Sequence, residues 1–319
     1  MNEKFDPLDG PVWLRSELLE SGHSDRELAA LVRAGVLQRI RRGAYTDRTT
    51  YDAADAAARH ALMARAVVRQ AKTKVVPSHL SAIPFHGGPM WGMPLAVVHV
   101  ARPDGRAGRS EAGVRQHQGT ILDGDIVVRH DLGVMSATRT ALDVTTCCST
   151  EASLVVGNDF LHRGLTTLED LRARYAPMSR DPNTLKTDIV LRLADPRLES
   201  VGECRTFWLM YRGGIPAPDP QFEVLDDVGR LFARLDFAWP ELKVWLEFDG
   251  REKYLKYLRK GESVVDAVLR EKERESRISE LTGWRCIRIT WADLERPSAT
   301  GARILAMLGV TSRVPSFTS

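Results

Sequence analysis

The first fifty residues change from helical to strand-like spacing of apolar positions. The pattern predicts helices over residues 13–21 and 25–34, then a strand with a tight basic turn over 36–45. Ser24 lies just before the second helix and Glu27 follows three residues later, which is the pattern of a capping box. Helix, turn, helix and basic hairpin is the order of a winged helix-turn-helix, in which the second helix enters the major groove of DNA.

Residues 51–194 mix both kinds of spacing. They predict one helix over 51–72, strands over 95–101 and 114–129, and helices over 165–175 and 185–194. We interpret His79, His86 and His99 as structural, because no acid is placed in the sequence to orient an imidazole. Arg139 and Asp143, four residues apart, predict a local pair on a helix. A turn-rich connector over 176–182 predicts a domain boundary near 180–197.

The last part of the chain gives the clearest order of elements. It predicts a helix from residue 200, strands over 221–225, 231–239 and 242–248, a helix over 263–282, a strand over 284–290 and a final helix from residue 293. In the third strand, apolar positions face one way and Trp245, Glu247 and Asp249 face the other. Two acids on one face of an apolar strand are costly to bury unless a divalent metal or another charge neutralises them.

Composition narrows the class of protein. With 319 residues, of which 43% are hydrophobic and 27% charged, the chain predicts a globular protein of two or three domains. Its net charge of +3 is too small to indicate nucleic-acid binding, so a basic surface must be local. Four cysteines without a Cys-x-x-Cys pair argue against a zinc ribbon and against a secreted disulfide framework. A polar N-terminus and the lack of an apolar run of ~20 residues predict a cytoplasmic protein with no membrane partner.

Arginines mark the expected DNA surface of the N-terminal part. The predicted DNA contacts are Arg26, Arg33, Arg39, Arg41 and Arg42. A solvated helix pair with surface arginines is an equally good interpretation of the composition alone. The segments Glu17-Leu-Leu-Glu-Ser-Gly, Leu28-Ala-Ala-Leu-Val-Arg-Ala-Gly and Arg39-Ile-Arg-Arg-Gly-Ala-Tyr resemble the N-terminal winged helix of AbiEi-type antitoxins. Ser78-His-Leu-Ser-Ala and Thr138-Arg-Thr-Ala-Leu-Asp resemble the middle region of AbiEi-like proteins, which implies an α/β middle domain.

Acids mark a candidate metal site in the C-terminal part. Asp236 and Glu247 are predicted on adjacent antiparallel strands, where both can reach one hard cation. Mg²⁺, or Mn²⁺ in its place, can polarise a phosphodiester and lower the pKa of an attacking water. Glu203, on the preceding helix, is a third candidate ligand and Asp249 a fourth. A surface hairpin that carries two acids is the simpler alternative.

The same part of the chain resembles a nuclease family. The segments Asp236-Phe-Ala-Trp-Pro, Glu247-Phe-Asp-Gly, Lys253-Tyr, Arg270-Glu-Lys-Glu-Arg-Glu and Gly283-Trp are similar to small nucleases related to very-short-patch repair endonucleases, over residues 199–309. The resemblance implies a restriction-endonuclease-like, PD-(D/E)XK domain. The chain is therefore expected to be an α+β multidomain protein with a winged helix-turn-helix at 1–50, an AbiEi-like middle domain at 51–195 and this domain at 196–319.

One position departs from the pattern that the resemblance implies. The signature lysine would lie two residues after Glu247, where this chain has Asp249. Lys253 and Lys272 are candidate catalytic replacements, either of which would stabilise charge in the transition state or position water. Alternatively, Asp249 is a further metal ligand, or the site binds without cutting. Arg270 and Arg274 are candidates to grip DNA phosphates, although alternating charges on a helix commonly form a solvated, self-paired face.

Two functions follow as hypotheses. The first is a Mg²⁺-dependent DNA endonuclease delivered by a winged helix, in phage defence or DNA repair. The second is an antitoxin-like transcriptional repressor of a toxin–antitoxin system, whose nuclease-fold domain is inactive. The expected partners are DNA and either a toxin or a second copy of the chain.

Overall fold

The computed structural model describes residues 6–104, 106, 110–111, 113–180, 183–250 and 263–311. The protein is of mixed α and β structure and divides into two compact units, Met1–Ala194 and Asp195–Ser319. The predicted start of the C-terminal domain, at residue 196, lies one residue after the start of the second unit. The predicted division of the first unit at residue 50 stays a prediction. No helix within the described ranges combines the length and the apolar character that crossing a membrane requires.

The first unit opens with two short helices and a small antiparallel sheet. The helices are α1 (Arg15–Glu20) and α2 (Asp25–Arg33), and the strands are β1 (Trp13–Leu14), β2 (Leu37–Arg41) and β3 (Ala44–Asp47), in spatial order β1-β3-β2. The predicted capping box of α2 is confirmed, since Ser24 Oγ accepts a hydrogen bond from the Glu27 N–H and the Glu27 carboxylate accepts one from the Ser24 N–H. Residues 13 and 14 are strand rather than helix, because they pair with Tyr45 and Ala44.

The predicted helix over residues 51–72 is wrong as one element. The structure has two helices there, α3 (Arg48–Ala53) and α4 (Ala56–Gln70). Ala54 is extended, with ψ of 130°, and the Asp55 carboxylate accepts a hydrogen bond from the Ala58 N–H at 2.8 Å. Asp55 therefore starts a new helix where the alanine-rich pattern suggests continuity.

A second sheet and a separate hairpin follow. The sheet has the order β4-β5-β7-β6 and consists of β4 (Val76–Pro77), β5 (Val98–Ala101), β6 (Ser110–Glu111) and β7 (Val114–His117). The hairpin pairs β8 (Ile126–Arg129) with β9 (Leu132–Met135). The predicted strand over 114–129 is therefore two strands in different sheets. The turn before β8 is held by Asp125, which accepts a hydrogen bond from the Leu122 N–H at 2.8 Å.

Four helices complete the first unit. They are α5 (Ala137–Cys147), α6 (Thr150–His162), α7 (Leu168–Tyr175) and α8 (Leu185–Leu193), of which the last two confirm predicted helices. Their apolar faces share one core that includes Leu142, Val156 and Phe160, each at most 2% exposed. Burial of such side chains supplies the main favourable free energy of folding.

The second unit has the predicted order of elements. These are α9 (Val201–Arg212), β10 (Asp219–Leu225), β11 (Leu231–Trp239), β12 (Val244–Asp249), α10 (Val264–Thr282), β13 (Arg285–Thr290), α11 (Trp291–Leu294) and α12 (Pro297–Leu308). The sheet order is β10-β11-β12-β13, with the first two pairings antiparallel and the last parallel. The prediction of helix, three strands, helix and strand is confirmed.

The two faces of β12 have different neighbours. Trp245 is fully buried in a cluster with Ile278 of α10, while Phe248 packs against α9 at Gly202. A Cβ atom on residue 202 would lie 2.0 Å from Phe248 Cε1. Helix α9 can therefore approach the sheet this closely only where it has a glycine.

Candidate functional site

Asp236 and Glu247 are neighbours across two antiparallel strands. The register pairs Trp239 with Val244, Ala238 with Trp245 and Phe237 with Leu246, so Asp236 and Glu247 are the next opposite positions. Opposite residues of an antiparallel pair share one face of the ladder. Both acids are buried, at 7% and 6% exposure. The predicted adjacency of the two strands is confirmed.

Asp236 also forms a hydrogen bond with the backbone of β12. Its Oδ2 atom accepts a hydrogen bond from the backbone N–H of Phe248 at 2.8 Å. The carboxylate thus satisfies a buried donor of β12 that would otherwise be costly to leave unpaired. The bond fixes the position of Asp236 relative to Glu247, the residue just before Phe248.

Helix α10 places a guanidinium beside Glu247. Arg274 Nη2 lies 3.3 Å from Glu247 Oε1 and donates to the carbonyl oxygen of Arg234 at 3.0 Å. Arg274 Nη1 lies 3.0 Å from Glu271 Oε1. Ile278 is buried under the helix four residues later, so Arg274 shares the face of α10 that meets the sheet. Arg274 was expected to face DNA phosphates, and the structure places it against an acid of the candidate site.

A second arginine follows the same strand pairing. Arg288 on β13 is the parallel partner of Glu247 in the register, and it lies 2.6 Å from Glu275, 3.6 Å from Glu271 and 3.7 Å from Asp249. Burial disfavours its charge, but the hydrogen bond and charge of Glu275 outweigh burial and raise the pKa of Arg288. The group therefore contains the carboxylates of Glu247, Asp249, Glu271 and Glu275 and two guanidiniums. Acids exceed bases within it, which favours a cation.

Glu203 has a capping role at the start of α9. Its carboxylate accepts hydrogen bonds from Ser200 Oγ at 2.6 Å, from the Glu199 N–H at 3.1 Å and from Gln221 Nε2 at 2.9 Å. Three donors hold it at the helix N-terminus, where negative charge is favourable. A role as third metal ligand stays a prediction.

The carboxylates of the site fit a hard divalent cation. Mg²⁺ takes oxygen ligands and commonly one or two carboxylates, with waters in its other positions, so Asp236 and Glu247 suffice as its protein ligands. Within the described ranges, three ligand atoms all lie within 4.8 Å of one another only at Asp6, Asp9 and His130, which are exposed or half-buried. The predicted acids are therefore brought together as a pair across the strands and not as a closed cage.

The structure describes one of the two candidate lysines. Lys253 lies outside the described residues. Lys272 is exposed, whereas Glu271, Arg274 and Glu275 point from α10 toward the strands. The Lys272 side chain therefore points away from the strands, because one residue along a helix turns the side chain by ~100°. Its catalytic role stays a prediction, as does the DNA contact of Arg270, which is half-buried.

The first unit carries a separate basic surface. Arg26 and Arg33 lie exposed on α2, and Arg39, Arg41 and Arg42 lie along β2 and its turn. None of these five side chains forms a hydrogen bond or ion pair with another described residue. By contrast, Arg15, Arg48 and Arg69 of the same part are paired with Asp25, Asp52 and Glu17. The helix and the hairpin that the sequence predicts to contact DNA therefore carry arginines whose charges are not paired with acids.

The histidines of the first unit have an acid beside them that the sequence does not reveal. Asp143 Oδ2 lies 3.6 Å from His79 Nδ1, and His117 stacks on His79 with ring centroids 3.5 Å apart. Burial lowers the pKa of His79 well below its ordinary value and that of His117 to about 2. Asp143 also accepts a hydrogen bond from Arg139 Nε at 2.7 Å, which confirms the predicted local pair. Neutral, buried imidazoles suit packing better than acid–base chemistry.

The residues that sequence reasoning missed are Glu271, Glu275 and Arg288. For Glu271 and Glu275, the signal in the sequence was the spacing on α10, where positions 271, 274, 275 and 278 lie on one face. Arg288 could be found only from the parallel pairing of β12 with β13, which joins residues forty-one positions apart.

Comparison with known proteins gives distant relatives. No family model matches the chain. The uncharacterised proteins MT2308 and Rv2248 of Mycobacterium tuberculosis are each 31% identical to it over 116 residues, which is 36% of this chain. The chain spans 39% of the length of these curated relatives. The chain is therefore similar, over about a third of its length, to mycobacterial proteins whose names state no activity.

Proposed function

We propose that the protein is a metal-dependent DNA endonuclease, with a restriction-endonuclease-like second unit and an AbiEi-like winged helix-turn-helix at the start of the first. The observation that carries the proposal is the opposition of Asp236 and Glu247 on adjacent strands. It is supported by the order of helix, three strands, helix and strand around this pair. A nuclease core needs these hard oxygen ligands at one place on a rigid sheet.

Each residue of the site has a role under this proposal. Asp236 and Glu247 would hold Mg²⁺ or Mn²⁺, with Asp249 on the same face of β12 as Glu247. Such a metal would supply a positive charge that polarises a phosphodiester and lowers the pKa of a water. The Phe248 N–H orients Asp236, and Arg274 offers a positive charge beside Glu247. Guanidiniums suit phosphate oxygens because they donate two parallel hydrogen bonds.

The arginines without acidic partners support DNA as the substrate. Phosphate contacts position a protein on a duplex, and arginines that are free of intramolecular ion pairs can form them without breaking another pair. Arg26 and Arg33 would meet the major groove, and Arg39, Arg41 and Arg42 would meet phosphates at the wing. Under this proposal, the first unit binds DNA and the second unit cuts it.

The proposal is tested by nicking of supercoiled plasmid in the presence of Mg²⁺ or Mn²⁺. Wild-type protein should convert plasmid to open circles, and Glu247→Gln should not, because the substitution removes a ligand charge at constant volume. Glu223→Gln is the matched control, since Glu223 is an exposed acid on the neighbouring strand β10 and should leave nicking unchanged. If neither wild type nor Glu247→Gln cuts duplex, mismatched or single-stranded DNA with either metal, the proposed endonuclease activity is refuted.

A second candidate function has its own support. Glu247 and Asp249 already face Arg274 and Arg288, so the site is partly neutralised by the protein itself. This favours an antitoxin-like repressor that keeps the fold and binds DNA without cutting. Such a protein should repress a reporter driven by the promoter of its own operon, and Glu247→Gln should repress as well as wild type. Loss of repression with Arg39→Ala and Arg42→Ala together, but not with Glu247→Gln, would support this function.

A further inference from the structure

Cys148 Sγ contacts two other sulfur atoms in the core of the first unit. Cys147 Sγ lies 3.6 Å from Cys148 Sγ, and Cys148 Sγ lies 3.4 Å from Met93 Sδ. Cys148 and Met93 are 6% and 9% exposed, whereas Cys147 is half-buried. The group is therefore enclosed on one side and reachable from solvent on the other.

The contact between the two cysteines is unusual for residues adjacent in sequence. Side chains at consecutive positions of a helix point in different directions and do not face each other. Here Cys147 is the last residue of α5, and Cys148 leaves the helix with φ of −115° and ψ of 176°. This change of backbone conformation turns both thiols to one side. Sulfur atoms also pack as ordinary apolar groups, but such packing does not require two neighbouring thiols to converge.

The surroundings favour a cation at this place. The C-terminus of a helix carries partial negative charge, and the group lies at the C-terminus of α5. Lys186 Nζ donates to the Cys148 carbonyl oxygen at 2.6 Å and would offset the negative charge of a second thiolate.

We propose that Cys147, Cys148 and Met93 form a binding site for a soft monovalent cation, Cu(I). Thiolate and thioether ligands select this class of ion over harder divalent cations. Metal–sulfur bonds of about 2.3 Å, as in zinc thiolates, place the sulfurs of a trigonal site about 4 Å apart. The two contacts of Cys148 Sγ, 3.6 Å to Cys147 Sγ and 3.4 Å to Met93 Sδ, need only a small expansion to reach that value.

The binding step balances without a redox change. Cu⁺ displaces one proton from each of the two thiols and forms two copper–thiolate bonds, and the thioether of Met93 donates a lone pair without losing a proton. Two protons are released to solvent for each ion bound. The copper remains Cu(I) throughout.

The test is an anaerobic titration of the reduced full chain with Cu(I), delivered as its acetonitrile complex, against a chromophoric Cu(I) chelator. Wild type should bind one equivalent tightly, and the Cys147→Ser, Cys148→Ser double variant should lose that site. Met93→Leu should keep the stoichiometry and weaken affinity roughly tenfold, because one of three ligands is lost while core volume is conserved. The matched control is Cys204→Ser with Cys286→Ser, which removes the two other cysteines and should change nothing.

A second measurement does not depend on whether the serine variants fold. X-ray absorption of copper-loaded wild type should show three sulfur neighbours at the copper. Two sulfurs only, together with unchanged affinity of Met93→Leu, would overturn the three-sulfur site. Retention of the tight equivalent by a folded Cys147→Ser, Cys148→Ser variant would overturn the site altogether.

Discussion

Arg274 Nη2 lies 3.3 Å from Glu247 Oε1, so a protein cation is already beside the acid that is proposed to hold a metal. Two unit charges at such a distance interact by about 5 kcal/mol when the effective dielectric constant is near 20. Arg274 is 29% exposed at its side chain, and solvent reduces that figure. Arginine and the proposed metal would therefore compete for the same carboxylate.

Removal of this arginine should strengthen metal binding. We expect Arg274→Ala to tighten the affinity for Mg²⁺ about tenfold, or about 1.4 kcal/mol, because the repulsion between guanidinium and metal is lost. Isothermal titration with Mg²⁺ in the absence of DNA measures this directly. Arg277→Ala is the control, since Arg277 lies on the same helix but pairs with Asp227 and Glu280. Unchanged or weaker affinity in Arg274→Ala would contradict the competition.

The basic surface of the first unit predicts a salt-dependent loss of DNA binding. Each phosphate contact that is removed should lower the slope of log affinity against log salt by about 1. We expect this change for Arg39→Ala and again for Arg42→Ala, measured by fluorescence anisotropy with labelled duplex at several salt concentrations. Arg48→Ala serves for comparison, because Arg48 is paired with Asp52 at 2.8 Å. Equal slopes for all three variants would exclude the hairpin as a phosphate-binding surface.

Buried histidines predict acid sensitivity of the first unit. Burial lowers the pKa of His60, His79, His86 and His117 in the folded protein. Below pH ~6.5 the unfolded chain therefore binds more protons than the folded one, and stability falls as the pH falls. Each such histidine contributes a slope of up to about 1.4 kcal/mol per pH unit. Burial also raises the pKa of Asp143, and this one carboxyl group therefore opposes the trend, because its contribution to stability rises as the pH falls.

Urea unfolding between pH 7.5 and 5.0, followed by a probe in the first unit, measures this dependence. The window lies above the ordinary pKa values of carboxyl groups, so the histidines dominate it. Stability that stays constant across the window would show that these imidazoles accept protons in the folded state.

The close approach of α9 to the sheet predicts a steric effect. Gly202→Ala should destabilise the second unit by about 1–3 kcal/mol, because its Cβ would lie 2.0 Å from Phe248 Cε1 and one of the two must move. Gly301→Ala is the matched control, since it is also helical and a Cβ there meets nothing within 4 Å. Chemical denaturation should show the control to be neutral or more stable than wild type. A neutral Gly202→Ala would mean that Phe248 can repack freely.

Sequence was sufficient where local patterns decide the structure. The cap at Ser24, the order of elements in the second unit and the adjacency of the strands of Asp236 and Glu247 all follow from nearby residues. Asp55 was overlooked because its capping bond breaks a stretch whose alanines and periodicity favour one helix. The pattern of apolar residues alone does not show where a capping residue interrupts a helix.

Long-range pairings explain the remaining differences. His79 and Asp143 are sixty-four positions apart, and Glu247 meets Arg288 only through a parallel strand that returns after a helix. Parallel strands need a crossover connection, so their register is not encoded in a turn. For this reason the sequence located the acids of the candidate site and did not locate the bases beside them.

The hydrogen bond from the Phe248 N–H to Asp236 has an evolutionary consequence. A descendant that no longer cuts DNA would still need a buried acceptor at that position, because the donor belongs to the backbone and cannot be removed by substitution. Selection for folding alone would therefore retain Asp236. Decay of an enzyme into a binding protein should begin at Glu247 or Asp249, which form ion pairs with the side chains of Arg274 and Arg288 that can change together with them.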